Sequence, residues 1–167
     1  VIFLLQRIVA QDDPGLDLVL RARAHVNARD HFGATPLLWA VARGSLQSVQ
    51  LLLQHGAEVS TKDGKGVGAV AAAAFRGDQR MLREVLASRG NVGALDRMKQ
   101  TPLFFACIEG HLDIVQCLLA AHSDVSHRST WGGDALYCAV ESNHCPIITA
   151  LVQASAAVNG AYPGGDT

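Results

Sequence analysis

Aromatic residues are scarce in this chain, at 5% of 167 residues, and the formal net charge is only −1. The first shortage leaves the core to Leu, Val, Ile and Ala, whose small side chains suit close helix–helix packing better than a wide sandwich. The second removes any global pull towards nucleic acid or an anionic membrane. No apolar run approaches the roughly 18 residues that a membrane-spanning helix needs. The apolar start, Val1 to Leu5, has no basic segment before it and does not read as a signal peptide. Four cysteines, Cys107, Cys117, Cys138 and Cys145, gather towards the C-terminal end without a Cys-x-x-Cys pair. That distribution argues against a disulfide-stapled secreted scaffold and for reduced thiols in an intracellular protein, cytoplasmic or nuclear.

Hydrophobic residues, by contrast, make up 49% of the chain, enough for one domain with a continuous core. They are arranged with a period of 33 residues. Ala40, Ala73, Ala106 and Ala139 keep that spacing, as do Gly44, Gly77, Gly110 and Asn143, and Leu53, Leu86, Leu119 and Val152. Val26, Val59, Val92, Val125 and Val158 carry the register across the whole sequence, and Asp30, Asp63, Asp96 and Ser129 mark the same phase. Each period has one grammar. A turn such as Asp30-His31-Phe32-Gly33 supplies Asx-turn and positive-φ chemistry. Thr35-Pro36 then starts a helix that Gly44 can end. A second helix over 46–54 places Val49, Leu52 and Leu53 on one face, with Gly56 free to take a left-handed cap. A unit of this size cannot bury its own apolar face, so neighbours must bury it jointly.

Thr35-Pro36-Leu37, Gly44, the run Val49 to Leu53 and Gly56-Ala57-Glu58-Val59 resemble the ankyrin-repeat family. So do Thr101-Pro102-Leu103, Gly110-His111-Leu112-Asp113-Ile114-Val115 and Leu118-Leu119. The resemblance covers essentially the whole chain. It implies an all-α solenoid of stacked antiparallel helix pairs with projecting β-hairpin loops. No nucleophile, base or metal constellation can be assembled from the residues, so no catalytic site, metal or cofactor is expected. The register frames an incomplete first repeat over 1–28, full repeats over 29–61, 62–94, 95–127 and 128–160, and the start of another over 161–167. The missing initial Met and the new turn at Gly165 to Thr167 lead to the expectation of an excerpt from a longer array. Two departures stand out. The family's usual His after Thr-Pro-Leu is replaced by Leu38, Ala71, Phe104 and Tyr137. In addition, Gly68-Ala69-Val70 stands where Thr-Pro-Leu is expected, after a turn rich in glycine, so that unit is expected to lack a cap and to be the least stable. Asp134 can still cap the fourth unit.

Several residues invite other chemistry. Cys107 with His111, and His144 with Cys145, have no tight metal-ligand spacing; Cys107 and Cys138 read as core thiols inside first helices, and His111 as a residue that helps start the second helix. Gly64-Lys65-Gly66-Val67-Gly68 lacks the P-loop spacing and falls at a turn tip. Asp12-Asp13 reads as a solvated pair. Asn27 and Asn159 occupy the loop position where some family members are hydroxylated, and the sequence leaves that open.

The resemblance also implies where a partner binds: at the turn tips and the exposed face of the first helices. Mapped onto this chain, the candidates are Arg29, His31, Phe32, Arg43, Lys62, Lys65, Phe75, Arg76, Arg97, Met98, Ile108, Glu109, Trp131 and Glu141. This face is basic and aromatic although the chain is nearly neutral, and Arg, Trp, Phe and Met are enriched at interfaces. The expectation is a protein-interaction module whose partner segment has acidic or apolar character, serving as a scaffold or adaptor. Alternatives are the substrate-recognition part of a SOCS-box ubiquitin-ligase adaptor, or a regulatory arm on a channel or kinase. Nucleic-acid binding is disfavoured by the charge balance and the lack of a stacking platform.

Overall fold

Ten helices of seven to nine residues make up the computed structural model, which describes residues 2–154. They are α1 (Ile2–Ala10), α2 (Asp13–Arg21), α3 (Pro36–Arg43), α4 (Leu46–Gln54), α5 (Ala69–Arg76), α6 (Gln79–Ala87), α7 (Pro102–Glu109), α8 (Leu112–Ala120), α9 (Ala135–Glu141) and α10 (Cys145–Gln153). Helices this short are unstable alone in water, so packing must hold them. Each odd-numbered helix packs antiparallel on the even one that follows it. The odd helices also stack in one row and the even helices in another. The all-α solenoid that the family resemblance implies is thus observed. Val158, Asn159 and the turn expected over 161–167 lie outside the described residues.

The register explains the stack. Ala40, Ala73, Ala106 and Ala139 are all fully buried, and a methyl-only row lets neighbouring backbones approach closely. Around it Leu37, Leu52, Leu82, Leu103 and Leu118 fill the core, each contributing about 1.5–3 kcal/mol by leaving water. Gly44, Gly77 and Gly110 close the odd helices in the left-handed region, at φ 76°, 70° and 80°. Asn143 takes the same conformation at the same register, φ 56°, one of the few residues that does so cheaply.

The projecting segments are tighter than the expected β-hairpins. Among the described residues one bridge pair forms, Lys62 with Gly68. The reason is the brevity of the turns: Asp30 N–H already bonds Ala34 O, and Asp63 N–H bonds Val67 O, so no residues remain for a ladder. The turns are joined to one another instead. Gly64 N–H donates to Phe32 O (2.7 Å), Arg97 N–H to Lys65 O (3.0 Å) and Thr130 N–H to Met98 O (2.9 Å). A Cβ on Gly64 would sit 2.8 Å from Phe32 O, and one on Gly66 2.8 Å from Arg97 N. The glycines of this turn therefore permit a close backbone approach, which adds a structural role to the loosening expected from composition.

Capping departs from expectation in one place. Thr35 accepts from Leu38 N–H (3.4 Å), and Gly68 offers no side chain, as expected. Thr101, however, makes no side-chain cap, and its Oγ1 is buried without a partner. Thr35 is oriented by Thr61 Oγ1, 3.3 Å away. The residue at that register for Thr101 is His127, which turns to Lys99 O instead. The Asp12-Asp13 pair is also more than a solvated patch: Asp12 caps α2 through Gly15 N–H and pairs with Arg7, and Asp13 accepts the hydroxyl of the buried Ser48 (2.7 Å).

At Gly68, φ is −102° and an added Cβ would meet nothing closer than 3.5 Å. Gly68→Ser should therefore restore a cap and stiffen the unfolded chain, raising stability by about 0.5–1 kcal/mol, or a Tm increase of ~1–4 °C. Gly64→Ala should lower stability by more than that through the clash with Phe32 O. Thermal unfolding of both variants checks the pair; equal and opposite-signed behaviour from that stated would refute the close-approach argument.

Candidate functional site

The turn tips and the exposed side of α3, α5 and α7 enclose an open groove of about 1020 Å3. Its floor is Leu38, Ala71 and Ala72, and Trp39 and Phe105 stand on either side. Phe32, Phe75 and Met98 form its rim, 62%, 52% and 50% exposed, far more than apolar side chains of their size usually are. Lys65 and Arg97 line the groove with no side-chain partner among the described residues.

The candidates divide into four groups, with Arg76 in two of them. His31, Phe32, Lys65, Phe75, Arg76, Arg97 and Met98 are brought together in the groove. Arg29, Lys62 and Arg76 have guanidinium or ammonium groups committed to the stack itself. Arg29 Nη1 donates to Lys62 O (2.7 Å), Lys62 Nζ to Leu95 O (2.7 Å) and Arg76 Nη1 to Ala42 O (2.8 Å). Trp131 is turned inwards, edge-on to Phe104 (6.3 Å between ring centroids) and close to Tyr137 (5.3 Å). Arg43, Ile108, Glu109 and Glu141 are exposed but lie outside the groove. The basic face is therefore narrower than the sequence implied, because charge at a turn tip can be consumed by a neighbour's carbonyl.

Trp39, Ala71, Ala72 and Phe105 were missed as site residues. Their signal is a register position, 39, 72 and 105, read as Trp, Ala and Phe on the side of the helix that faces the tips. A small residue between two large ones at one register makes a hollow, and composition alone does not show it.

The turns are fixed by carboxylates. Asp30 Oδ1 accepts from Phe32 N–H and Ala34 N–H, both 2.9 Å. Asp63 Oδ1 does the same for Lys65 and Val67, and Asp96 Oδ1 for Met98 and Gln100. In the first turn Asp30 Oδ2 also accepts from the Trp39 indole (2.8 Å). Burial pushes the Asp30 carboxyl up, but the Trp39 indole and the two backbone amides together outweigh it and hold it below the usual carboxylate range.

The alternative chemistries find no support in this geometry. Cys107 and Cys138 are buried in the core, where burial pushes the Cys107 thiol up and the Cys138 thiol to about 12. His111 Nε2 contacts Phe75 O and His144 Nε2 contacts Ile108 O, both at 3.1 Å. These histidines thus clamp the end of the preceding unit's first helix and make no side-chain cap on their own helices. Among the described residues no group of three His, Cys, Asp or Glu could hold a metal, and no helix is long and apolar enough to cross a membrane. Asn27 bridges to the next unit, with Nδ2 donating to Gly56 O (3.3 Å) and Oδ1 accepting from Glu58 N–H (2.8 Å).

The Asp30–Trp39 bond yields a pH prediction. A carboxyl whose native pKa is depressed adds stability that is fully present above about pH 4 and is lost as pH falls through the native value. Trp39→Phe removes the indole donor, so the Asp30 titration should move up towards the ordinary range and stability at neutral pH should drop by ~1 kcal/mol. Carbonyl-detected NMR titration of Asp30 with denaturant unfolding at pH 7 checks both; an unmoved Asp30 midpoint would refute the assignment.

Comparison with protein families is consistent with the whole arrangement. A model of the ankyrin repeat matches residues 32–64, and a model of ankyrin repeats in three copies matches residues 69–161. A search of curated proteins returns no matching relative. The chain belongs to the ankyrin-repeat family, whose repeats form protein–protein interaction modules.

Proposed function

We propose that the groove over α3, α5 and α7 binds an extended segment of a partner protein with apolar and acidic character. The chain would thereby serve as a scaffold or adaptor inside the cell. The observation that carries this reading is the coincidence of three half-exposed apolar side chains, Phe32, Phe75 and Met98, with two uncommitted cations, Lys65 and Arg97, around one concavity. Contiguous exposed apolar patches of this kind mark interaction sites, and aromatic and Arg side chains carry most of the energy in such sites. Lys65 and Arg97 alternate with Asp63 and Asp96 along the groove wall. That alternation suits a mixed protein segment better than the unbroken negative charge of a phosphate backbone. The repeat frames 29–61, 62–94 and 95–127 supply the groove.

Selection of peptides from a random displayed library against this chain tests the proposal. Enriched peptides should combine an aromatic or aliphatic anchor with Asp or Glu. The double variant Lys65→Glu with Arg97→Glu should weaken them by about tenfold or more and flatten their salt dependence. Arg83→Glu, an exposed charge on α6, serves as the control and should leave affinity unchanged. Selected peptides that bind both variants as well as the parent chain would rule the groove out as the binding face.

A further inference from the structure

The groove holds an internal template for its occupant. In the first turn, Asp30 uses Oδ1 to fix the backbone and Oδ2 to accept the N–H of Trp39, which lies nine residues later on α3. The second turn repeats the backbone half of this motif one period on. Asp63 Oδ1 accepts from Lys65 and Val67 N–H at 2.8 and 2.9 Å, within 0.1 Å of the first turn. The residue nine further on is Ala72, which has no ring and no donor. Asp63 therefore keeps Oδ2 without a hydrogen bond among the described residues, and both Asp63 and Ala72 line the groove. The neighbouring Ala71 is equally small and belongs to the same floor. The helices bearing Trp39 and Phe105 stand two helix spacings apart, ~16–20 Å at typical packing distances, with only methyl groups in the row between them. The result is a seat with aromatic neighbours on both sides, a methyl floor and one carboxylate oxygen at its edge.

We propose that this seat receives a tryptophan side chain of the partner segment, its indole N–H donating to Asp63 Oδ2 as Trp39 donates to Asp30, with acidic residues beside it meeting Lys65 and Arg97. The inference rests on the groove being the binding face and adds the identity of the anchor. Tryptophan fits the chemistry better than phenylalanine because an apolar ring would cover Asp63 Oδ2 and leave it desolvated without a donor. It fits better than arginine or lysine because the seat's floor and sides are apolar while its rim already carries two cations. The third turn shows the contrast. Asp96 also leaves Oδ2 without a bond, but the matching residue there is Phe105, which fills the space over its own helix.

The probes are N-acetyl-tryptophanamide, its 1-methylindole analogue and N-acetyl-phenylalaninamide, titrated into the chain with labelled alanine methyls. Tryptophanamide should shift the Ala71 and Ala72 methyl signals. The 1-methyl analogue and the phenylalanine compound should bind about tenfold more weakly, since a hydrogen bond to a charged acceptor is lost. Asp63→Asn keeps an oxygen for Lys65 and Val67 N–H but turns the second position into a donor, so it should abolish the preference for tryptophanamide over its 1-methyl analogue. Ala72→Trp should fill the seat from within and remove the response altogether; should it fail to fold, the Asp63→Asn and 1-methyl arms decide alone. Shifts confined to other methyls, or equal affinity for the methylated and unmethylated indoles, would overturn the seat. If displayed peptides still depended on Lys65 and Arg97 in that case, the groove reading would stand and only the anchor would fall. If both experiments were flat, both would fall.

Discussion

No helix pair in this chain can bury its own apolar face, and that constraint shapes everything else. Helices of seven to nine residues have too few turns to be stable singly. Two of them back to back still leave one side of each exposed. Only repetition at a fixed period covers those sides, and the fully buried alanine row from Ala40 to Ala139 sets how closely the copies approach. The low aromatic content is a consequence: close stacking favours methyl and isobutyl groups, and large rings are confined to positions where the stack is open. Phe104, the bulkiest of the fully buried side chains, stands against that tendency, with Trp131 folded over it.

Apolar stacking alone would allow neighbouring units to slide or twist. Polar contacts that cross from one unit to the next oppose this at both ends of the helices. At the tips the turns share backbone hydrogen bonds from Phe32 to Thr130. Beside them Arg29 and Lys62 each reach the carbonyl of the residue 33 positions later. At the far end of the first helices, donors from the next unit close on orphan carbonyls, the groups that any helix leaves unpaired. Arg76 takes Ala42 O, His111 takes Phe75 O and His144 takes Ile108 O. The glycines at 44, 77 and 110 leave room for this, since a Cβ at Gly77 or Gly110 would fall 2.6 Å from the incoming imidazole. Asp78 occupies the histidine register of its unit and caps its own helix instead, and Arg76 supplies the missing donor. The same physical need is met by a different residue two positions away.

Much of this was legible in the sequence and some was not, for identifiable reasons. The helix positions followed from Thr-Pro starts, glycine stops and apolar spacing, because these are local effects that act within one unit. The missing cap at Gly68 was legible for the same reason. The failure of Thr101 to cap was not, since it turns on His127 replacing the hydroxyl that orients Thr35. Nor was the absence of Arg29 and Lys62 from the groove. A basic residue at a turn tip looks alike in sequence whether it faces solvent or a carbonyl 33 residues away. Trp131 was misread in a comparable way. Its ring folds back across Gly133, where even a methyl group would collide with it, so the absent side chain at 133 determines the direction of the one at 131.

The groove arises where the units differ, not where they agree. Identical units would present a uniform ridge along the first helices. Instead the register at 39, 72 and 105 runs large, small, large, and the adjacent one at 38, 71 and 104 does the same. Both small residues fall in the unit that also lacks a side-chain cap and carries glycines in its turn. Consistency between local preference and fold is expected of a sequence under selection for stability alone, and its breakdown at one place is the usual mark of a site serving something else. Filling Ala71 and Ala72 with larger groups would add buried area and cost nothing in helix propensity beyond a few tenths of a kcal/mol. The stack forgoes that gain where Lys65 and Arg97 have no side-chain partner among the described residues and the rim is apolar, which is what a surface needs if a partner's side chains are to complete it.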